Sequence, residues 1–388
     1  MIYLDNASTT RIDDRVLKEM MPYLQDDYGN AGTIYSFGRE SAEAIARARG
    51  KVADFIGAER HDQIIFTSGG SEANNMVLFG LEDYLKNIGK TRILLSEIEH
   101  DSLINAANSL IKRGFDVTYI HPNNAGVITA ESVKSLLDEY CDVGLVSVMA
   151  VNNETGIENE VYGIGGVCDA YNVLFHTDCV QAAGCFEIDV DEIKCDFLSI
   201  SSHKIHGPKG VGALYAKDKS ILKPMIYGGT SQEFGFRAGT ENTPGIVGFG
   251  AACDVLNDEL YKDMGYMEDL LIKLYSELND NLENNGVGNI LSVNGRGHRV
   301  KTVNLRFADI DAETLLLILD ASGVCVSAGS ACRSHESEPS RVLKAIGLSD
   351  EEARNSIRIS VSKYTTLDEI KEAAEIISVC VALLSNGA

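Results

Sequence analysis

Long apolar runs are missing from this chain: none approaches the roughly 18 residues that a membrane-spanning helix requires. A secretory signal is missing as well, because the opening Met1-Ile2-Tyr3-Leu4-Asp5 shows no basic segment followed by an apolar one. Basic charge is scarce, with 34 Lys and Arg against 57 Asp and Glu for a net charge of -23. A nucleic-acid-binding surface normally shows a basic stripe, so direct nucleic-acid binding is not expected. The acidic balance favours solubility and fits a basic partner. The nine cysteines (Cys141, Cys168, Cys179, Cys185, Cys195, Cys253, Cys325, Cys332 and Cys380) form no CxxC pair. Scattered thiols without a signal point to a reducing cytoplasm, with most of them buried. No cysteine and histidine set with zinc-ligand spacing stands out, so no metal site is expected. Internal repeats and low-complexity segments are absent too.

The 388 residues are enough for two domains, or for one large domain with a small one appended. An apolar fraction of 45% and a charged fraction of 23% are those of an ordinary globular protein. Between about residues 64 and 215 short apolar runs alternate with helical patterns. The strands are read at Ile64–Phe66, Ile93–Leu95, Val117–Ile120, Gly144–Met149, Val173–Phe175, Phe197–Ile200 and Val211–Tyr215. Helices are expected at Ser71–Leu85 and Ser102–Lys112. Such alternation implies an α/β unit with a mostly parallel seven-stranded sheet covered on both faces. Ligands of such sheets sit beyond the carboxyl ends of the strands. Thr243-Pro244 starts a long helix running to about Asn285. After the turn-rich Asn294-Gly295-Arg296-Gly297 the pattern restarts as a smaller α+β unit. Its strands are read at Val300–Phe307 and Ser356–Val361, its helices at Glu313–Leu319 and Leu367–Leu384.

The most informative stretch is Ser201-Ser202-His203-Lys204-Ile205-His206-Gly207-Pro208-Lys209-Gly210, lying between two apolar runs. A tight turn between buried strands is an odd place for a solvated ammonium and a good one for an amine that must meet a cofactor. Upstream, Asp178 ends the run Val173-Leu174-Phe175-His176-Thr177-Asp178. A lysine to form a Schiff base and an aspartate to hold a pyridinium nitrogen are the protein groups that pyridoxal 5'-phosphate asks for. Thr67-Ser68-Gly69-Gly70-Ser71 joins a strand to a helix, and such an end, with free N–H groups and the Ser71 hydroxyl, suits a phosphate. His100 closely follows another strand end. It reads either as a loop histidine without a role or as an imidazole stacked on the ring and able to move a proton. Asn152-Asn153-Glu154-Thr155-Gly156 reads as a turn whose amides can bond a phenolic oxygen.

Taken together, these segments resemble the cysteine desulfurases, pyridoxal-phosphate enzymes of fold type I in the aminotransferase class V group. Tyr3-Leu4-Asp5-Asn6-Ala7-Ser8-Thr9-Thr10 is similar to the family's opening, and FTSGGSEANN, NNETG, DCVQ, SSHKIHGPKG and FGFRAGTEN follow in the family's order. The resemblance implies that Lys204 carries the cofactor and that Asp178 faces its ring nitrogen. It implies that Gln181 and Asn153 bond the ring oxygen and that His100 stacks on the ring. Gly70, Ser71, Ser201 and His203 would hold the phosphate, and Thr240 would reach the phosphate of a neighbouring subunit, which implies a homodimer with shared sites. Arg358 would clamp the substrate carboxylate beside Asn153, a bidentate task suited to arginine. The implied architecture is a large cofactor-binding domain over 15–257, with 1–14 and 258–388 forming the small domain.

The segment Val326 to Ser340 is small and polar at its centre, so a mobile, exposed loop is expected there. Cys332 lies in it, and the resemblance makes Cys332 the nucleophile, with the loop from Ala331 to Ser340 similar to the family's long-loop branch. The thiolate is the reactive form, and Arg333 and His335 are placed in sequence to raise its fraction. The implied activity takes sulfur from L-cysteine, leaves L-alanine, and passes a persulfide to an acceptor protein for iron–sulfur assembly or tRNA thiolation. A selenocysteine lyase or a class V aminotransferase would keep Lys204 and Asp178, but the aminotransferase has no use for Cys332. Two segments depart from the family pattern: Asn30-Ala31-Gly32-Thr33-Ile34-Tyr35 lacks a usual final histidine, and Gly228 to Phe234 carries one extra residue.

Overall fold

The computed structural model describes residues 1–329 and 338–386. Strand β1 (Ile2–Tyr3) precedes a seven-stranded sheet made of β2 (Ile64–Thr67), β3 (Arg92–Ser96), β4 (Asp116–Ile120), β5 (Val143–Ser147), β6 (Leu174–Asp178), β7 (Phe197–Ser201) and β8 (Gly212–Ala216). Its order is β2-β8-β7-β6-β5-β3-β4. Only β8 runs against its neighbours, pairing antiparallel with β2 and β7, and the other pairs are parallel. All seven strands stand where the apolar runs place them. Strands β2, β5, β7 and β8 are buried on both faces, which is why their sequences read as unbroken apolar runs and not as alternations.

The expected helix Ser71–Leu85 is in fact two, Gly70–Gly80 and Glu82–Asn87. The break has a non-local cause: the Gly80 carbonyl accepts the Lys223 N–H at 3.0 Å, so it does not serve a continuing helix. The long helix Thr243–Asn284 is as expected, started by an Asn242 side chain that accepts the Gly245 N–H at 3.2 Å, with Pro244 in the first turn. It packs against helices Ser36–Phe55 and Leu367–Asn386. The approach is close, since a Cβ on Gly250 would lie 2.8 Å from the Ala48 Cα.

Beyond the long helix, β9 (Leu291–Val293), β10 (Thr302–Phe307) and β12 (Ser356–Ser360) form an antiparallel sheet in the order β12-β10-β9. Strand β11 (Val324–Cys325) pairs in parallel with β1. Asp5 bridges to Ser360 and Ser327 bridges to Arg358. Residues 1–9 are therefore stitched to β12 beside the carboxyl ends of the large sheet. Among the described residues no helix is long and apolar enough to cross a membrane.

Candidate active site

The parallel strands β3, β5, β6 and β7 end on one side of the sheet, and a cavity of about 240 Å³ opens there. Gly70, Ser71, His100, Asn153, Asp178, Gln181, Ser201, His203, Lys204 and Arg358 all line it. These residues come from six separate segments: the large sheet's order brings five of them together, and Arg358 joins them from β12 of the smaller sheet. Thr240 does not line it, and is exposed ahead of the long helix. Cys332, with Arg333 and His335, lies outside the described residues.

Lys204 ends a single 3-10 turn, Ser202–Lys204, directly after β7. Its Nζ donates to the carbonyl of Ala7 and, at 2.8 Å, to that of Ser8. Burial, with help from the Arg358 and Lys301 cations, lowers its pKa from 10.5 to about 7, against the pull of Asp5 and Asp178. The amine is thus poised between charged and neutral near physiological pH.

Asp178 closes β6 and is 3% exposed. Its Oδ2 accepts from Asn74 Nδ2 at 2.7 Å and its Oδ1 from the Val180 N–H at 2.9 Å. Burial raises its pKa, and these two hydrogen bonds, with His100 and Lys204, counter the rise. His100 caps helix Asp101–Ile111: its Nδ1 accepts the Ser102 N–H at 3.1 Å and lies 2.9 Å from the Ser102 hydroxyl. With Nδ1 accepting, the neutral ring carries its proton on Nε2.

At the other end of the cavity, helix Gly70–Gly80 starts at Gly69 with no side-chain cap. Its first N–H groups and positive dipole end stay available to an anion. Gly70 is required by close packing, because a Cβ there would come 2.6 Å from Val180 Cγ2. The Ser201 hydroxyl and the Asn153 Oδ1 are buried with no hydrogen-bond partner among the described residues. Buried polar atoms without partners are rare and call for one. His203 Nδ1 lies 3.1 Å from the Thr9 hydroxyl, and burial and Lys204 lower its pKa to about 4, so the ring is neutral.

Arg358 is 2% exposed on β12. Its Nη1 donates to the Asn153 carbonyl at 2.8 Å, and its Nη2 to Asp5 Oδ1 at 2.8 Å and Ser8 Oγ at 2.7 Å. Its Nε is buried without a partner among the described residues. The guanidinium is therefore held rigidly with a donor to spare.

Sequence reasoning passed over Asn74, which is inside the quoted FTSGGSEANN motif and one helical turn beyond Gly70. It also passed over Ala7 and Ser8, whose carbonyls hold Lys204, while Gln181 Nε2 donates to the same Ala7 carbonyl at 2.9 Å. Backbone acceptors leave no side-chain signature.

The donor set fits a group with an anion at one end and a basic ring nitrogen at the other, next to an amine that is easily deprotonated. An uncapped helix start with an orphan hydroxyl faces the first, and a buried carboxylate that accepts two hydrogen bonds faces the second.

Residues 2–372 match the aminotransferase class-V family. The chain is 41% identical over 377 residues to a mitosomal cysteine desulfurase of Trachipleistophora hominis, covering 96% of this chain and 84% of that protein. It is 39% identical over 378 residues to the cysteine desulfurase IscS of Dictyoglomus turgidum, covering 97% and 93%. Among solved structures, a NifS-like protein superposes with a TM-score of 0.88 at 33% identity, covering 98% of this chain and 99% of that one. The structure described as SspA in complex with cysteine gives 0.78 at 33% identity, covering 94% and 100%. With a family match over residues 2–372 and curated relatives 39–41% identical over nearly the whole chain, the chain belongs to the aminotransferase class-V family, on the cysteine desulfurase side of it.

Proposed function

We propose that this protein is a cysteine desulfurase that takes the sulfur of L-cysteine onto Cys332, releases L-alanine and passes the sulfur to an acceptor protein. The observation that carries the reading is the pairing, across one cavity, of a lysine whose pKa falls to about 7 with a buried aspartate held by Asn74 and Val180. That pairing is what pyridoxal 5'-phosphate requires, and the cofactor, when bound, supplies an electron sink that lets a proton leave the Cα of an amino acid.

The chain's own groups have distinct tasks in this reading. The start of helix Gly70–Gly80, with Ser71, Ser201 and His203, would hold the phosphate. Asn153 and Gln181 would bond the ring oxygen, Asp178 would bond the ring nitrogen, and His100 would lie against the ring. Arg358, already oriented by Asp5, Ser8 and Asn153, offers Nε to the substrate carboxylate. Neutral Lys204 Nζ takes the Cα proton, which a protonated amine cannot do. The Cys332 thiolate then forms an S–S bond as the Cβ–S bond of the substrate breaks. The electron pair stays with the three-carbon fragment, which takes up a proton on the way to alanine.

The exposure of Thr240 supports a contribution to a neighbouring subunit's phosphate site, hence a homodimer. We assign cofactor binding to 15–257, and the thiol-bearing unit to 1–14 with 258–388. The acceptor is a protein of the iron–sulfur or tRNA-thiolating kind, and the compartment is cytoplasmic.

Mass spectrometry of the cofactor-loaded protein after exposure to L-cysteine tests the reading: one added sulfur atom on Cys332, with alanine released, is expected. Lys204→Ala should abolish alanine formation. Cys332→Ser should abolish it while the bound cofactor's absorbance stays, and normal alanine release by this variant would overturn the assignment of the nucleophile. Selenocysteine in place of cysteine separates a selenocysteine lyase by its preference.

A further inference from the structure

Arg341 begins the short helix Arg341–Ala345, a few residues beyond Cys332 in sequence. It does not line the cofactor cavity. Its guanidinium nevertheless reaches across to the far side of the site. Nη2 donates to the Glu99 carbonyl at 2.5 Å and lies 3.5 Å from Asp101 Oδ1. Those two residues flank His100. The Glu99 carbonyl belongs to the peptide that joins Glu99 to His100, and Arg341 is its one donor among the described residues.

The residue before it makes a parallel contact. Ser340 Oγ donates to Glu154 Oε2 at 2.5 Å and accepts the Leu343 N–H at 3.2 Å. Glu154 follows Asn153 in the turn after β5. Two consecutive residues downstream of Cys332 thus grip the two turns that carry Asn153 and His100.

The imidazole has little freedom of its own. Its Nδ1 is committed to Ser102, so its plane follows the backbone of residues 99–102. Glu99 is held by its side chain, whose Oε1 accepts the Met149 N–H at 2.5 Å. Arg341 holds the same residue through the carbonyl. A charged donor on a shielded carbonyl is among the stronger hydrogen bonds a protein makes.

We propose that Arg341 is a positioning residue for sulfur transfer: through Glu99 and Asp101 it sets His100 relative to the chain that bears Cys332. The proposal rests on the desulfurase reading. It concerns the sulfur step, because Arg341 acts on His100 only through Glu99 and Asp101 and, among the described residues, has no contact with the groups assigned to the phosphate, the ring nitrogen or the Cα proton.

The test compares holoenzymes carrying Arg341→Met, which keeps length and loses the donors, and Arg341→Lys, which keeps charge and one donor group. Three readouts are taken: absorbance of bound cofactor, exchange of the Cα hydrogen of L-alanine with deuterated solvent, and alanine formation from L-cysteine across pH. For Arg341→Met we expect the first two within about twofold of wild type and alanine formation down about tenfold or more, the effect of losing one charged hydrogen bond. Arg341→Lys should recover part of that loss. Unchanged alanine formation in Arg341→Met would overturn the proposal, and so would a parallel fall of all three readouts, which would mark Arg341 as structural support. Failure of the wild type to form alanine would instead refute the desulfurase reading.

Discussion

Replacing Lys204 by methionine removes an amine that folding forces out of water. The fall of its pKa from 10.5 to about 7 is caused mainly by burial, and next by Arg358 and Lys301. At about 1.4 kcal/mol per pH unit, that fall handicaps the charged folded state by several kcal/mol, of the order of 3–5 kcal/mol. The sign follows from proton counts. Below about pH 7 the amine is charged in both folded and unfolded chains, and the cofactor-free wild type carries the whole handicap. Between about 7 and 10.5 the unfolded chain binds the proton and the folded one does not, so wild-type stability climbs with pH. Methionine has no such titration. Its substitution also removes the Lys204 donor from the Ser8 carbonyl, a loss independent of pH, while the Ala7 carbonyl keeps Gln181. Urea unfolding of cofactor-stripped wild type and Lys204→Met, from about pH 6 to about pH 9.5, reads the difference directly. The stability of wild type relative to the variant should be lowest at the acid end and should rise by about 1 kcal/mol per pH unit above neutrality. A difference that stays flat across this range would refute the claim that Lys204 is held near neutrality.

Asn74→Leu removes the side-chain donor 2.7 Å from Asp178 Oδ2; cofactor affinity, followed by absorbance titration, should weaken by about 10- to 100-fold. Unchanged affinity would show that Val180 alone suffices to hold the carboxylate. Glu233→Leu strands the buried Arg49, which Glu233 pairs at 2.7 and 2.8 Å, and should lower unfolding free energy in urea by about 3–5 kcal/mol. The double variant Arg49→Leu with Glu233→Leu should regain most of it. Gly70→Ala sets a methyl 2.6 Å from Val180 Cγ2, and overpacking of about 1–3 kcal/mol should weaken cofactor binding. Adding Val180→Ala to Gly70→Ala should restore it, and no recovery would place the fault elsewhere.

The large sheet was legible because strands such as β2 and β7 are buried on both faces, so Ile64–Thr67 or Phe197–Ser201 stand out as short apolar words between helical stretches. Lys204 and Asp178 were legible for the opposite reason: a charge at the end of such a word is costly unless chemistry uses it. Asn74 was not, since a mid-helix asparagine normally reads as solvated. The hold of Ala7 and Ser8 on Lys204 was invisible because carbonyls belong to every residue. The helix break at Leu81 depended on Lys223, more than a hundred positions later, and Arg341 meets Glu99 from 242 positions away. Contacts of that span leave no local pattern.

The stitching of residues 1–9 to strand β12 has a consequence for biosynthesis. Asp5 and Arg358 are 353 positions apart, and Ala7 reaches Ser360 across 353 more. On the ribosome, Asp5 must wait for 353 further positions before Arg358 is made to meet it. Loop closure over such distances is slow, and the nascent chain meanwhile presents an unfinished edge. A growing chain therefore completes the Asp5–Arg358 and Ala7–Ser360 contacts only once strand β12 has been made. A chain that stops short of β12 lacks the wall of the cavity that Arg358 provides.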